Sequence, residues 1–235
     1  MKIGFIQSVG LGDIIIALPI AKHFAAQGHE VIWPISNRYI SNFATATPYV
    51  DFVPMEENDD LRWYFEQPLE ILRSRGCQGI LPLYSALKVP DYPANRALAS
   101  ILKFDEYKYA VAQVPFREKW NLDIVRDRRR EEALFQSLVT SKRYAVCHLQ
   151  GSSARADLAM DAIAAGYDQV IEITDRTDCL FDWLTVIEKA SLLIMIDSCF
   201  ANLVDQLGIP VEKCFVRRSE MSRTPVLASG WKILG

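Results

Sequence analysis

An aspartate set directly behind a glycine turn is the residue of this chain best placed to do chemistry. The opening stretch reads IQSVGLGDIIIALP, with Gly10 and Gly12 in the turn and Asp13 at the start of an apolar helix. A carboxylate there accepts a proton from a substrate hydroxyl as a general base, or serves only as a first-turn acid stabilised by the helix dipole. The residues alone leave both readings open. A second acid, Asp197, ends the apolar run LLIMI and is followed by Ser198, Cys199 and, one turn on, Asn202. Small residues at that point let a ligand approach the free N–H groups of a helix N-terminus, which suit a phosphate; an ordinary Asp-Ser cap uses the same letters. A third stretch, HLQGSSARAD, places Gly151, Ser152 and Ser153 in a polar loop with Arg155 behind it. That is a diphosphate cradle with its counter-charge, or a turn with a helix cap.

These residues need a scaffold, and the patterning supplies one. Short apolar runs alternate with amphipathic stretches, as in βα units on a parallel sheet. The spacing predicts strands at 2–7, 30–33, 50–53 and 79–83, with helices over 13–26, 69–75 and 93–102. The charged stretch 117–142, containing RDRRREE, reads as a solvated helix between two halves, because Glu131 and Glu132 offset its arginines. The alternation then restarts, with strands at 143–148, 169–173, 192–196 and 211–216 and helices over 156–165, 181–190 and 198–207. The expected fold is α/β: two Rossmann-like βαβ domains facing a cleft, residues 1–117 and 143–235, joined by a linker helix at 118–142. Ligands bind such sheets at the carboxyl ends of the strands.

Composition narrows the function. The chain has 235 residues, half of them hydrophobic, and a net charge of −3, which suits a buried core and argues against non-specific nucleic-acid binding. Five scattered cysteines without a Cys-x-x-Cys read as small buried hydrophobes in a reducing compartment. No signal peptide or membrane span is read at the N-terminus, so the expected location is the cytoplasm. His23, His29 and His148 lack ligand spacing and there is no Asp-x-Asp pair, so no metal and no cofactor are expected. A dinucleotide site is disfavoured. Ile15 stands where G-x-G-x-x-G needs its third glycine, Trp33-Pro34-Ile35 stand where the ribose-binding acid belongs, and a pyrophosphate on this turn would face the Asp13 charge.

Taken together, the stretches resemble glycosyltransferase family 9, the ADP-heptose:lipopolysaccharide heptosyltransferases. Gly12, Asp13, the apolar run Ile14–Leu18 and Pro19 match the family's opening motif. Asp197-Ser198 and the later Leu207-Gly208-Ile209-Pro210 match its second motif, and Gly151-Ser152-Ser153 resembles its C-terminal-domain loop. The resemblance implies a GT-B fold and a single inverting displacement that needs no metal. It implies Asp13 as general base beside the Gly10/Gly12 acceptor-side turn. The donor side would consist of Asp197, Ser198, Cys199, Asn202, Ser152, Ser153 and Arg155. The implied partners are a nucleotide-diphosphate sugar, with ADP a candidate nucleotide, and a glycan or lipid-linked glycan acceptor that would bring peripheral membrane contact. The chain departs from the pattern in three places: the Lys/Arg-Trp-Pro after the loop is absent, and the family's Gly and His are Cys199 and Asn202. A catalytically inactive binder of nucleotide or glycan is therefore the alternative. Asp197→Ala is expected to weaken nucleotide-sugar binding more than nucleotide binding in calorimetric titration, whereas equal losses would assign Asp197 to the fold.

Overall fold

The computed structural model describes residues 1–57, 62–84, 93–151, 155–158, 165–218 and 224–234. They form two compact units, Met1–Val125 and Arg126–Gly235, each built on an all-parallel sheet. In the first, β1 (Lys2–Ile6), β2 (Glu30–Ser36), β3 (Val50–Met55) and β4 (Gly79–Pro82) lie in the order β3-β2-β1-β4. In the second, β5 (Tyr144–His148), β6 (Gln169–Glu172), β7 (Leu192–Ile196), β8 (Lys213–Val216) and β9 (Trp231–Leu234) lie in the order β6-β5-β7-β8-β9. Strands covered on both faces read as unbroken apolar runs. The run LLIMI of β7 is buried throughout, as is all but the first residue of KIGFI in β1.

Strand order reverses beside β1, whose neighbours are β2 and β4, and between β5 and β7. In open α/β sheets the crevice for a ligand lies outside the carboxyl ends of the strands at such a switch point. Asp13 follows β1, and Asp197 follows β7. Both lie beside a reversal.

Helix α1 (Leu11–Ala26) follows β1 and is buried from Ile14 to Ala21. The short helix α2 (Ile40–Phe43) and helix α3 (Glu66–Ser74) come next, and α3 seats Leu72 against Gly4, where an added Cβ would lie 2.6 Å from a Leu72 methyl. Helix α4 (Pro93–Ile101) precedes α5 (Phe104–Ala112), an element not expected from the patterning. Asp105, Lys108, Tyr109 and Ala112 recur at helical spacing on the buried face of α5. Its polar members are all engaged. Asp105 pairs with Lys119 at 2.8 Å with both side chains 0% exposed, and the Tyr109 hydroxyl donates to Ile16 O at 2.9 Å. The tail of this unit is held by Val125 N donating to Ala46 O and by Tyr49 Oη donating to Asp123 O.

The second unit opens with α6 (Arg128–Leu138), capped by the Asp127 carboxylate, which accepts from Arg129 N and Arg130 N. The sequence reading made this helix a solvated connector. Instead it docks within the second unit. Glu131 is buried, takes two hydrogen bonds from Arg126 and one from Thr185, and Arg126 also reaches Glu188. Arg130 binds Asp182 and Asp178. The charges that suggested solvation are neutralised by partners far away in sequence. Helices α7 (Leu184–Glu188) and α8 (Cys199–Gln206) complete the described elements. The helix expected over 156–165 falls largely outside the described residues, and β9 was not expected.

Removing one partner of a fully buried ion pair leaves an uncompensated charge, which costs about 3–5 kcal/mol. Asp105→Ala should lower the urea-unfolding free energy of the first unit by about that amount, and Asp105→Leu with Lys119→Met should recover most of it.

Candidate functional site

In the first unit the site is the turn between β1 and α1. Gly10 has φ 85°, the left-handed region that favours glycine. A Cβ there would lie 2.7 Å from Asp13 Oδ2, so this carboxylate oxygen sits against the turn. The turn itself is pinned by two phenols: Val9 N donates to Tyr84 Oη at 2.9 Å, and the Gly10 backbone bonds the Tyr39 hydroxyl. Burial raises the pKa of both tyrosines, so they stay neutral; the Asp13 charge adds to the effect at Tyr84. Trp63 and Tyr64 stack with ring centroids 3.7 Å apart, and Tyr84 meets Tyr64 edge-on at 5.5 Å. A half-buried carboxylate thus lies against glycine backbone, with the Tyr84 phenol facing it.

The other carboxylate oxygen has a partner that the sequence reading missed. Lys108 Nζ, on α5, lies 2.9 Å from Asp13 Oδ1, and the lysine side chain is 2% exposed. The same nitrogen donates to Gln7 Oε1 at 2.6 Å and to Leu83 O at 3.0 Å. The signal was present in FDEYKYAVA, where a lysine falls at helical spacing with Asp105, Tyr109 and Ala112.

In the second unit the site is the carboxyl edge shared by β5 and β7. Ser198 has extended backbone and caps α8, its hydroxyl accepting from Ala201 N. The same hydroxyl lies 2.9 Å from His148 Nδ1 at the end of β5, and the His148 ring packs on Phe200 with centroids 4.8 Å apart. Asp197 is buried, and its N–H donates to Val216 O on β8. Asn202 is buried one turn into α8; its Nδ2 donates to Ser198 O, while Oδ1 has no partner among the described residues. Cys199 lies over the first N–H groups of α8, and burial pushes its thiol up to about 12, so it is neutral. The edge therefore joins Asp197, Ser198, Cys199 and Asn202 with His148, a residue the sequence reading had set aside.

Arg155, the expected diphosphate counter-charge, forms an ion pair with Glu172 on β6 at 2.7 Å. Asp178 is paired with Arg130. Ser152 and Ser153 lie outside the described residues. Arg217 and Arg218 follow β8 at the same carboxyl edge as Ser198, exposed, and went unused in the sequence reading. Among the described residues no group of three or more His, Cys, Asp or Glu could hold a metal ion, and no helix is long and apolar enough to cross a membrane.

Burial pulls the His148 imidazole down to about 4 from its ordinary 6.5, against the opposing pull of Asp175. Between those values the unfolded chain binds a proton that the folded chain does not, so stability present above pH 6.5 is lost as pH falls toward 4. The melting temperature should fall over that window, and His148→Gln should flatten the fall. An equal slope in the variant would assign the acid sensitivity to other groups.

No protein-family model matches the sequence, and no curated protein matches it. Solved structures do match over nearly its whole length. A glycosyl transferase family 9 protein from Veillonella parvula superposes with a TM-score of 0.68 at 12% identity, over 99% of this chain and 86% of that one. The E. coli ADP-heptose lps heptosyltransferase II gives 0.63 at 14% identity, over 100% and 90%. E. coli heptosyltransferase WaaC with ADP gives 0.57 at 11%, over 99% and 92%. The two parallel-sheet units described above thus have the α/β fold of the GT-B glycosyltransferases, the fold of these family 9 structures.

Proposed function

We propose that this protein is an inverting glycosyltransferase that moves a heptose or a similar sugar from a nucleotide-diphosphate donor to a hydroxyl of a glycan acceptor, without a metal ion. The observation that carries the reading is Asp13: a half-buried carboxylate at the β1/β4 switch point, with Oδ1 held by an ammonium and Oδ2 beside a glycine turn. In the proposed step the acceptor hydroxyl gives its proton to Oδ2 as its oxygen bonds the anomeric carbon from one face. The bond from that carbon to the phosphate oxygen breaks on the other face, and its electron pair leaves with the nucleoside diphosphate.

On this reading the first unit takes the acceptor and the second takes the donor. The N–H groups at the start of α8 stabilise the charge developing on the leaving phosphate. Asp197 and Asn202 hold the sugar and ribose hydroxyls. Arg155, half exposed beside Glu172, is proposed as the counter-charge, with Ser152 and Ser153 as further donor contacts. The ADP-heptose enzyme among the structural neighbours supports an ADP-linked donor, and the cytoplasm is the proposed place of work, on a glycan or lipid-linked glycan.

The absent Lys/Arg-Trp-Pro and the replacements Cys199 and Asn202 favour a second reading, a non-catalytic binder of the same ligands. A thermal-shift panel of ADP, UDP, GDP and CDP, with NAD alongside, comes first. A bound nucleotide at a hundred times its dissociation constant adds about 2.7 kcal/mol to stability. One nucleotide family should shift the melting temperature and NAD should not; no shift from any nucleotide would count against both readings. Asp13→Asn should then keep the nucleotide shift and lose turnover by about 10²–10⁴-fold, with wild-type turnover insensitive to EDTA. A nucleotide shift without wild-type turnover on any donor would favour the binder.

A further inference from the structure

We infer that Lys108 is a positioning residue for the Asp13 carboxylate, an inference that rests on the proposed role of Asp13 as the base. An ammonium has three protons to give. Those of Lys108 have three acceptors on three different elements: Gln7 Oε1 just past β1, Leu83 O just past β4, and Asp13 Oδ1 in the first turn of α1. With every donor engaged and the side chain 2% exposed, the ammonium has a single place to sit. Asp13, by contrast, is 38% exposed and would be free to turn between rotamers on its own. The lysine fixes which carboxylate oxygen faces inward. It follows that Oδ2, against the Gly10 turn, is the oxygen left to receive the proton.

A purely structural role would be a poor use of a buried cation. Replacing a buried ion pair with apolar residues of similar volume is often neutral or stabilising, and tying α5 to the sheet needs no charge. Asp105 and Lys119 provide the contrast within the same unit: a pair in which both side chains are fully buried. In Lys108 the charge instead ends on the one acid that faces the turn. Among the described residues, Tyr84 from the segment after β4 also faces Asp13 and is held neutral by burial, and Gln7 is uncharged. Lys108 is the cation in contact with this carboxylate.

The test needs no substrate. Three-bond couplings across the Asp13 Cα–Cβ bond are measured by NMR in the wild type, in Lys108→Met and in Lys119→Met, the last removing the buried lysine paired with Asp105. The wild type and Lys119→Met should show a single rotamer of Asp13, and Lys108→Met should show averaging between rotamers. Should Lys108→Met fail to fold, Lys108→Gln carries the same expectation. A single rotamer in Lys108→Met, with only a lower melting temperature, would overturn the inference and leave Lys108 as a packing ion. Turnover with ADP-heptose and deacylated lipopolysaccharide adds a second reading: kcat should fall roughly tenfold to a hundredfold, and Lys108→Met should add nothing on an Asp13→Asn background. Retained turnover in Asp13→Asn, alongside averaged rotamers in Lys108→Met, would overturn the base assignment while leaving the positioning intact.

Discussion

A buried ammonium must give away all its protons, and Lys108 does so across the centre of the first unit. Its acceptors stand after β1, after β4 and at the start of α1. Those are the elements that flank the point where strand order reverses. Gln7 answers in turn, its Nε2 donating to Val9 O, while Tyr84 Oη takes the next N–H of the turn. Side chains thus hold both backbone groups of Val9, while backbone N–H groups of Ser36 and Ile14 hold Ser8 O and Gly10 O. The second carboxylate oxygen of Asp13 lies against the Gly10 turn.

The second unit solves the same problem with different chemistry. At its strand reversal stand an imidazole held unprotonated by burial, a serine hydroxyl that caps α8, and a thiol over the first N–H groups of the helix. The buried acid Asp197 lies beside them, and the helix end favours a negative ligand. Arg217 and Arg218 stand exposed at the periphery of the edge. One edge presents a carboxylate against a glycine turn, the other a helix end among hydrogen-bonding side chains.

What could be read from the letters was what is local. The runs KIGFI and LLIMI are legible as buried parallel strands because both faces of each are covered, and Asp13 is legible because its turn and its helix lie within a few residues of it. Lys108 was not, since its meaning comes from Gln7, a hundred residues earlier. The same holds for α6. Its arginines look solvated until Asp182, Glu188 and Thr185 are folded against the helix. Arg155 has a further partner that its sequence neighbours do not reveal, Glu172 on β6. The strand β9, four residues long and half exposed, is too short for alternation to announce.

One bond set in the second unit bears on how the chain is made. Asp205, near the end of α8, is buried, and its Oδ1 accepts from Ala228 N and from the indole N–H of Trp231. Trp231 lies 26 residues further along, so during synthesis the helix that Ser198 caps is complete well before the groups that satisfy its buried acid have left the ribosome. Domains tend to fold as units in the order they emerge. The glycine-turn unit can close early, while the unit with the helix-end site must wait for the last strand to arrive.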